Sequence, residues 1–567
     1  MANQGRKNRM RADTRNHLLA SLLIGWAAGL AAFFALGFQA IFPPHQISWI
    51  LKHTDTVRYY DTAMMFVGWE YFRHSPWQIP PGLNPNYGLE LGSSIVYSDS
   101  IPLLAFPCKL LSPWLGADFQ YFGIWILLCL VLQGAFAASL AARFVSWLPA
   151  RLLLALFFVF SPVLLQQGWE QYSLMAQWLV LWAIDLFLTP RRQRVRWMWL
   201  LPAALAVMSS FYFAPMVLLI WAADAVKSLF QRTLQPRWLA VEFAALSATV
   251  LFTMWFCGFF VLPTASAQST GFGTYGINLL GPIDPWGTSL FLQRQPHSPV
   301  WHAEGFAYLG LGMIFMCVIA IYESIRRPEP LRTILPLTPL AAAMAIMAVF
   351  ALSNQVAFGG RIILNLGDFW GPLGPIFRGS GRLFWPAYDG IWLGASYLVL
   401  RGLRAPAATA VLAFLLAVQL IDSSPASAML LHHNTADGTW RSPLEDTFWT
   451  SAASRYRRVV VVPSMADMPV YPIAQWGAEN QIATNIVRVN RQPAPEAIDR
   501  VSQSRSADLR ADHPDRLTLY LIPDVHLFAE LASDLTKEHW TGRVDGYNVI
   551  APYWRSPGDT GAAGRVP

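Results

Sequence analysis

Long apolar runs broken by short basic turns organise most of this chain. The first run, residues 17–42, carries no charge from Leu18 onward and is long enough to cross a hydrocarbon core of roughly 30 Å. Similar runs follow at about 120–143, 150–166, 172–188, 197–211, 213–230, 237–262, 306–323, 333–353, 383–400 and 405–421, so about eleven transmembrane helices are expected. The stretch 100–112 is apolar but short, and it contains Lys109 and two prolines. It predicts a helix lying in the membrane interface, with Lys109 reaching the headgroups.

Past Asp422 the apolar runs stop. Residues 458–463, 517–522 and 547–551 read as short strands, with helical stretches at 443–456, 496–503 and 525–535 between them. The expected fold is therefore mainly α: a polytopic membrane domain over 1–422, then a small soluble α/β domain over 423–567 whose last residues fray. Three loops, 43–119, 263–305 and 354–382, interrupt the spans on one side. No internal repeat is visible.

Composition supports the bilayer and gives it a direction. Of the 567 residues 54% are hydrophobic and 13% charged, against roughly 25% charged in a soluble domain. Arg6, Lys7, Arg9, Arg11 and Arg15 precede the first run, where a cleaved leader would have a shorter apolar core. Every second turn is basic: Arg143 and Arg151, then 191–196, then Lys227, Arg232 and Arg237, then Arg326, Arg327 and Arg332, then Arg401 and Arg404. The positive-inside tendency puts these turns and the N-terminus in the cytoplasm, and the three loops and the C-terminal domain outside. The net charge of +7 thus reports topology and not nucleic-acid binding. Cys108, Cys129, Cys257 and Cys317 all fall in apolar segments, so no structural disulfide is expected. His53, His74 and His302 have no metal-ligand spacing. No P-loop or dinucleotide fingerprint occurs, since GFGTYG lacks the strand-then-helix setting. That points to a donor delivered within the membrane.

Candidate chemistry gathers in the outer loops. Asp55, Asp61 and Glu70 lie close behind the first span on what reads as an amphipathic surface helix with Trp69, and Asp99 precedes the interfacial helix. A carboxylate held there can accept a proton from an incoming hydroxyl; the plainer alternative is helix capping. Glu304 sits where the second loop enters a span, and an unpaired acid driven to mid-membrane would be costly. Arg378 and Arg382, four apart in FRGSGR, with Arg361 upstream and Lys109, suit a phosphate at headgroup level. Glu70, Trp69, Tyr87, Glu170 and Asn278 are assigned to the cavity wall.

With an inside N-terminus, a long first outer loop, an acid soon after the first span and SDSIPLLAFPCKLL before the second, the chain resembles the GT-C superfamily of polytopic glycosyltransferases. The stretches WEYFRHSPWQIPPGLNPNYG, SSIVYSDSIPLLA, GINLLGPIDPWG, EGFAYLGLG, FRGSGRLFWPAY and RVDGYNVIAPYW more closely resemble a bacterial family of uncharacterised GT-C-like membrane proteins. That resemblance runs through most of the chain. It implies transfer of a sugar from a polyprenyl-phosphate donor to a glycan, lipid or protein acceptor on the outer face of the inner membrane. Asp55 would be the general base or an acceptor-orienting residue, and Arg378 and Arg382 would hold the carrier phosphate; Asp61, Asp99 and Glu304 are the further catalytic candidates that the residues themselves offer. Some GT-C members bind a divalent cation such as Mg or Mn and others do not; here no tight pair of acids stands beside Asp55. The rival function is a non-catalytic transporter or assembly component for envelope polysaccharide. Transporters usually carry charge at mid-membrane or show repeated halves, neither of which this sequence has.

Overall fold

The computed structural model describes residues 2–52, 61–191, 197–262, 271–295, 303–435, 440–465, 468–487, 489–491 and 493–554, with backbone only for 2–15. Asp55, His53 and His302 lie outside the described residues. The chain forms two compact units, each assembled from separated segments: Met1–Gln46, Gln120–Met254 and Ser269–Asp437 in one, Ile47–Phe119, Trp255–Gln268 and Gly438–Pro567 in the other.

The first unit is helical. Among the described residues, six helical stretches are long and apolar enough to cross a membrane: Asn16–Ala35, Phe122–Ala141, Phe213–Phe230, Pro236–Cys257, Leu331–Ala351 and Ala405–Asp422. The other expected spans fall on shorter helices, including Leu148–Val159, Leu200–Ser209, Leu311–Arg326 and Trp385–Leu400. Large apolar side chains stand exposed on these helices, among them Leu23, Phe243, Phe252, Val318 and Ile346. Surfaces of that kind suit lipid better than water. Several of the basic turns are satisfied by acids: Arg143 meets Asp185 at 2.7 Å, Arg191 meets Glu242 at 2.7 Å, and Arg401 pairs with Glu329. The 354–382 loop holds an antiparallel hairpin of β1 (Gln355–Phe358) and β2 (Arg361–Asn365), which span counting passed over.

The end of the Ala405–Asp422 helix fixes the long loop before Leu311. Asp422 is fully buried and accepts from the Tyr308 hydroxyl at 2.6 Å, the Leu311 amide at 3.0 Å and the Ser289 hydroxyl. One turn earlier, the Gln419 side chain accepts from Met313 N and donates to Leu309 O, both at 3.2 Å.

The second unit contains the α/β region. Strands β3 (Arg458–Val461), β4 (Ala483–Thr484), β5 (Thr518–Leu521), β6 (Trp540–Val544) and β7 (Tyr547–Ala551) form one sheet in the order β4-β3-β5-β7-β6. β3 is parallel to β4 and β5, while β7 runs antiparallel to β5 and β6. Helices Tyr471–Glu479 and Pro495–Arg510 make the crossovers. Val460, Val462, Tyr520, Ile522 and Ile550 close the core against Leu509 and Leu531. β4 and β6 escape sequence reading because one has two residues and the other, WTGRV, alternates weakly around a glycine.

The outer-loop segment 47–119 belongs to this second unit. Tyr87 bridges Thr484, and Gly88 N donates to Thr484 O at 2.7 Å. The helix Asp61–His74, expected as an amphipathic surface element, is buried continuously from Thr62 to Arg73. The reason is that it is covered on more than one side, by Tyr471–Glu479 and by Pro102–Leu111. The 100–112 stretch does contain a helix, Pro102–Leu111, but Lys109 does not reach outward. Its ammonium is buried against Phe72 and Trp77, 4.0 and 4.5 Å from the ring centres.

Candidate functional site

Glu304 and Arg382 lie 78 positions apart, yet their side chains meet in the first unit with Oε2 and Nη2 at 3.0 Å. Arg382 belongs to a short 3-10 turn, Ser380–Phe384, that leads into the Trp385–Leu400 helix. Its Nη2 also donates to the Gln171 side chain at 3.2 Å, and its guanidinium lies 4.6 Å from the centre of the Tyr212 ring. Tyr212 caps the Phe213–Phe230 helix, and its hydroxyl accepts from Gly379 N at 3.0 Å.

Glycine makes this approach possible at two positions. A Cβ on Gly379 would stand 2.6 Å from the Glu304 carboxylate, and one on Gly305 would stand 2.2 Å from the Gly276 carbonyl oxygen. The contact at Gly305 is with backbone and leaves no room for a side chain, while a side chain at Gly379 would displace the Glu304 carboxylate from its present place. The glycines of FRGSGR and AEGF therefore set the distance between the ion-pair partners. Both partners retain partial exposure, 17% for the Glu304 side chain and 12% for that of Arg382. That leaves them sheltered but reachable. A guanidinium placed so can take a phosphate oxygen while the carboxylate keeps its orientation.

Arg378 lies next to this cluster in sequence, with its guanidinium 5.7 Å from the centre of the Tyr275 ring. Glu170 is half-buried and adjacent to Gln171 in the chain. Arg361 stands exposed at the start of β2. Asn278 is tied to the hairpin of the 354–382 loop. Its amide donates to Gly359 O at 2.9 Å, and its oxygen accepts from Gly359 N and Leu280 N, both at 3.0 Å, pinning the hairpin turn.

The remaining candidates are in the second unit. Asp61 is the first residue of its helix and half-buried. Trp69 is buried and donates to Phe119 O at 3.1 Å. Tyr87 is buried and stacked on Tyr71, ring centres 5.0 Å apart. Asp99 and Ile101 both have left-handed backbone, φ 53° and 49°, a conformation that costs of order 1–3 kcal/mol each. The turn is held by Ser100, which donates to Met65 O at 2.6 Å, and by Asn490, whose amide donates to the Asp99 carboxylate and whose N–H reaches Tyr97 O at 2.8 Å.

Glu70 is a strongly perturbed acid among the described residues of this unit. Burial pushes its carboxyl up to about 8, while Arg73, 3.4 Å away, works in the opposite direction. Arg73 is itself held by the carbonyls of Gly116 and Ala117, both at 2.8 Å. The unfolded carboxyl titrates near 4.5, so the folded chain binds more protons between about 4.5 and 8. Stability contributed by Glu70 is complete below that window and falls as pH rises through it. Glu70→Gln should flatten the dependence of Tm on pH across the window. An unchanged slope would show that Glu70 stays ionised.

No group of three or more His, Cys, Asp or Glu side chains gathers in metal-binding fashion among the described residues. The donor set at the ion pair does not suit a divalent cation, because the carboxylate there already faces a guanidinium.

A mainly helical protein with several helices long and apolar enough to cross a membrane, a charged cluster at helix ends and a C-terminal α/β region is the class these features define. The family described as "Domain of unknown function (DUF6311)" matches residues 26–424, and the "DUF6311 C-terminal domain" matches residues 448–552. The chain belongs to this DUF6311 family. No curated protein matches it.

Proposed function

We propose that the protein is a GT-C-type glycosyltransferase of the bacterial inner membrane. It crosses the bilayer about eleven times with the N-terminus in the cytoplasm, and its C-terminal region stands in the periplasm. The donor is a polyprenyl-phosphate sugar and the acceptor an envelope glycan, lipid or protein. The observation that carries this reading is the Glu304–Arg382 pair at 3.0 Å, partly exposed at the end of apolar helices. The basic turns at the other helix ends and the resemblance of the sequence to GT-C enzymes support it.

In the proposed step an acceptor hydroxyl oxygen attacks the anomeric carbon as the bond from that carbon to the phosphate oxygen breaks. Arg382, with Arg378 nearby in the chain, receives the charge that develops on the leaving polyprenyl phosphate. The acceptor proton goes to a carboxylate, which Glu304 supplies at this cluster. The sugar emerges with inverted configuration.

The test is release of labelled sugar from polyprenyl-phosphate sugars by purified protein, with Glu304→Gln and Arg382→Ala compared. Release by wild type and loss in both variants supports the proposal. If vesicles move the lipid-linked sugar across while no donor is cleaved, a transporter is the better reading.

A further inference from the structure

The Phe213–Phe230 helix carries a second charged cluster at its far end, one turn from its C-terminus. Tyr212 marks the first cluster and Lys227 the second, roughly 22 Å apart along the axis at 1.5 Å per residue. Asp224 is fully buried, 3.2 Å from Arg191 and 3.4 Å from Lys227. Arg191 also donates to both oxygens of Glu242, at 2.7 and 3.1 Å, and to Ser228 at 2.7 Å. The Lys227 ammonium reaches Phe187 O and lies 3.7 Å from the centre of that ring.

Beside this network opens a cavity of about 810 Å³. Arg191, Lys227, Glu242 and Ser228 give it a polar floor, and Trp199, Trp238 and Leu337 give it apolar walls. Exposed apolar side chains surround it in sequence, Phe230 at 83%, Phe243 at 60% and Leu335 at 69%. Lipid-facing surface around an opening with a charged floor selects a molecule that is apolar at one end and polar at the other. The turn after the helix adds Arg232, and the first turn of the Pro236–Cys257 helix adds Arg237, both exposed. Among the described residues, Arg191 and Lys227 are balanced by Asp224 and Glu242. Arg232 and Arg237, next in sequence to the lining residues Gln231, Thr233 and Trp238, leave an excess of two cations at the rim, so the polar end should be an anion.

We infer that this cavity binds the phosphate headgroup of an anionic phospholipid from the adjoining leaflet. The inference requires only that the helix cross the membrane, and it is independent of the transfer reaction. The tryptophans sit where aromatic side chains favour the membrane–water boundary. The ion network holds the cations in place beneath the headgroup.

Full-length protein in neutral detergent can be titrated with phosphatidylglycerol, phosphatidylcholine or inorganic phosphate, reading retained lipid by native mass spectrometry and Tm by tryptophan fluorescence. Phosphatidylglycerol should be retained about fivefold or more over phosphatidylcholine. Arg232→Glu with Arg237→Glu, on exposed positions that leave the network intact, should abolish that preference. Leu337→Trp, which fills the cavity from a position 41% exposed, should lower retention of either lipid. Equal retention of the two lipids would overturn the inference, as would variants that behave like wild type. So would a Tm rise that inorganic phosphate alone reproduces, since the site would then recognise a soluble anion. Should Leu337→Trp fail to fold, the charge-reversed pair decides the matter.

Discussion

Arg382→Ala is expected to lower sugar transfer by about 10²–10³-fold, the usual effect of deleting one fixed donor from a site of developing charge. The bundle should remain folded, because both partners of the pair are partly exposed. Arg382 has geometry that Arg378 cannot replace. Its guanidinium is fixed by Glu304 at 3.0 Å, by Gln171 at 3.2 Å and by the face of Tyr212, whereas Arg378 has only the Tyr275 ring at 5.7 Å among the contacts described above. Arg382→Lys should recover part of the rate, since the charge returns but the planar fork does not. Single-turnover release from a labelled donor separates the chemical step from binding. A rate equal to wild type in Arg382→Ala would remove the residue from the reaction.

The largest effect on stability is expected at Asp422. Asp422→Ala leaves the Tyr308 hydroxyl, the Leu311 amide and the Ser289 hydroxyl without their acceptor in a buried setting. Each hydrogen bond to a charged group contributes about 1.5–3 kcal/mol, so the loss should be about 3 kcal/mol or more. The consequence reaches function through position. Asp422 anchors the start of the Leu311–Arg326 helix, and Glu304 lies seven residues before that start. A drop of several degrees in Tm should therefore accompany reduced transfer, with a larger fall in activity than Asp422→Asn, which keeps one acceptor oxygen. A Tm matching wild type would mean that the buried carboxylate does not bear on the fold.

Much of the helical framework was legible because apolar length and basic turns are strong, redundant signals. The strands β3, β5 and β7 were legible too, since RVVV, TLYL and YNVIA are short runs rich in β-branched residues. Other features were hidden for identifiable reasons. The hairpin β1–β2 has a Gly359–Gly360 link between two apolar runs, a recognised hairpin signal, but the segment was treated as a loop between spans. Burial of the Asp61–His74 helix depends on partners distant in sequence, and its amphipathic pattern suggested a membrane surface instead.

At the candidate site, Glu304 and Arg382 could be singled out one at a time, as charges at the ends of apolar runs. Their meeting could not be read, because it depends on close approaches at Gly305 and Gly379. Gln171 and Tyr212 were missed altogether. A neutral amide at a two-helix turn and a tyrosine between apolar runs look like ordinary interface residues until an arginine is found beside them. Asp422 was read only as the end of a span. Asn278, assigned from sequence to a cavity wall, ties a turn through both atoms of its amide, a contact that sequence could not show.

The reaction proposed for Glu304 and Arg382 depends on their facing the compartment where lipid-linked sugars are presented, and side-specific labelling in a cysteine-free background measures this directly. Asp368→Cys lies in the exposed loop before Arg378, and Arg232→Cys lies in the exposed turn at the other end of the Phe213–Phe230 helix. In intact cells with a permeable outer membrane, an impermeant maleimide should modify Asp368→Cys at once and Arg232→Cys only after the inner membrane is opened. The reverse pattern would place the ion pair in the cytoplasm and contradict transfer on the outer face.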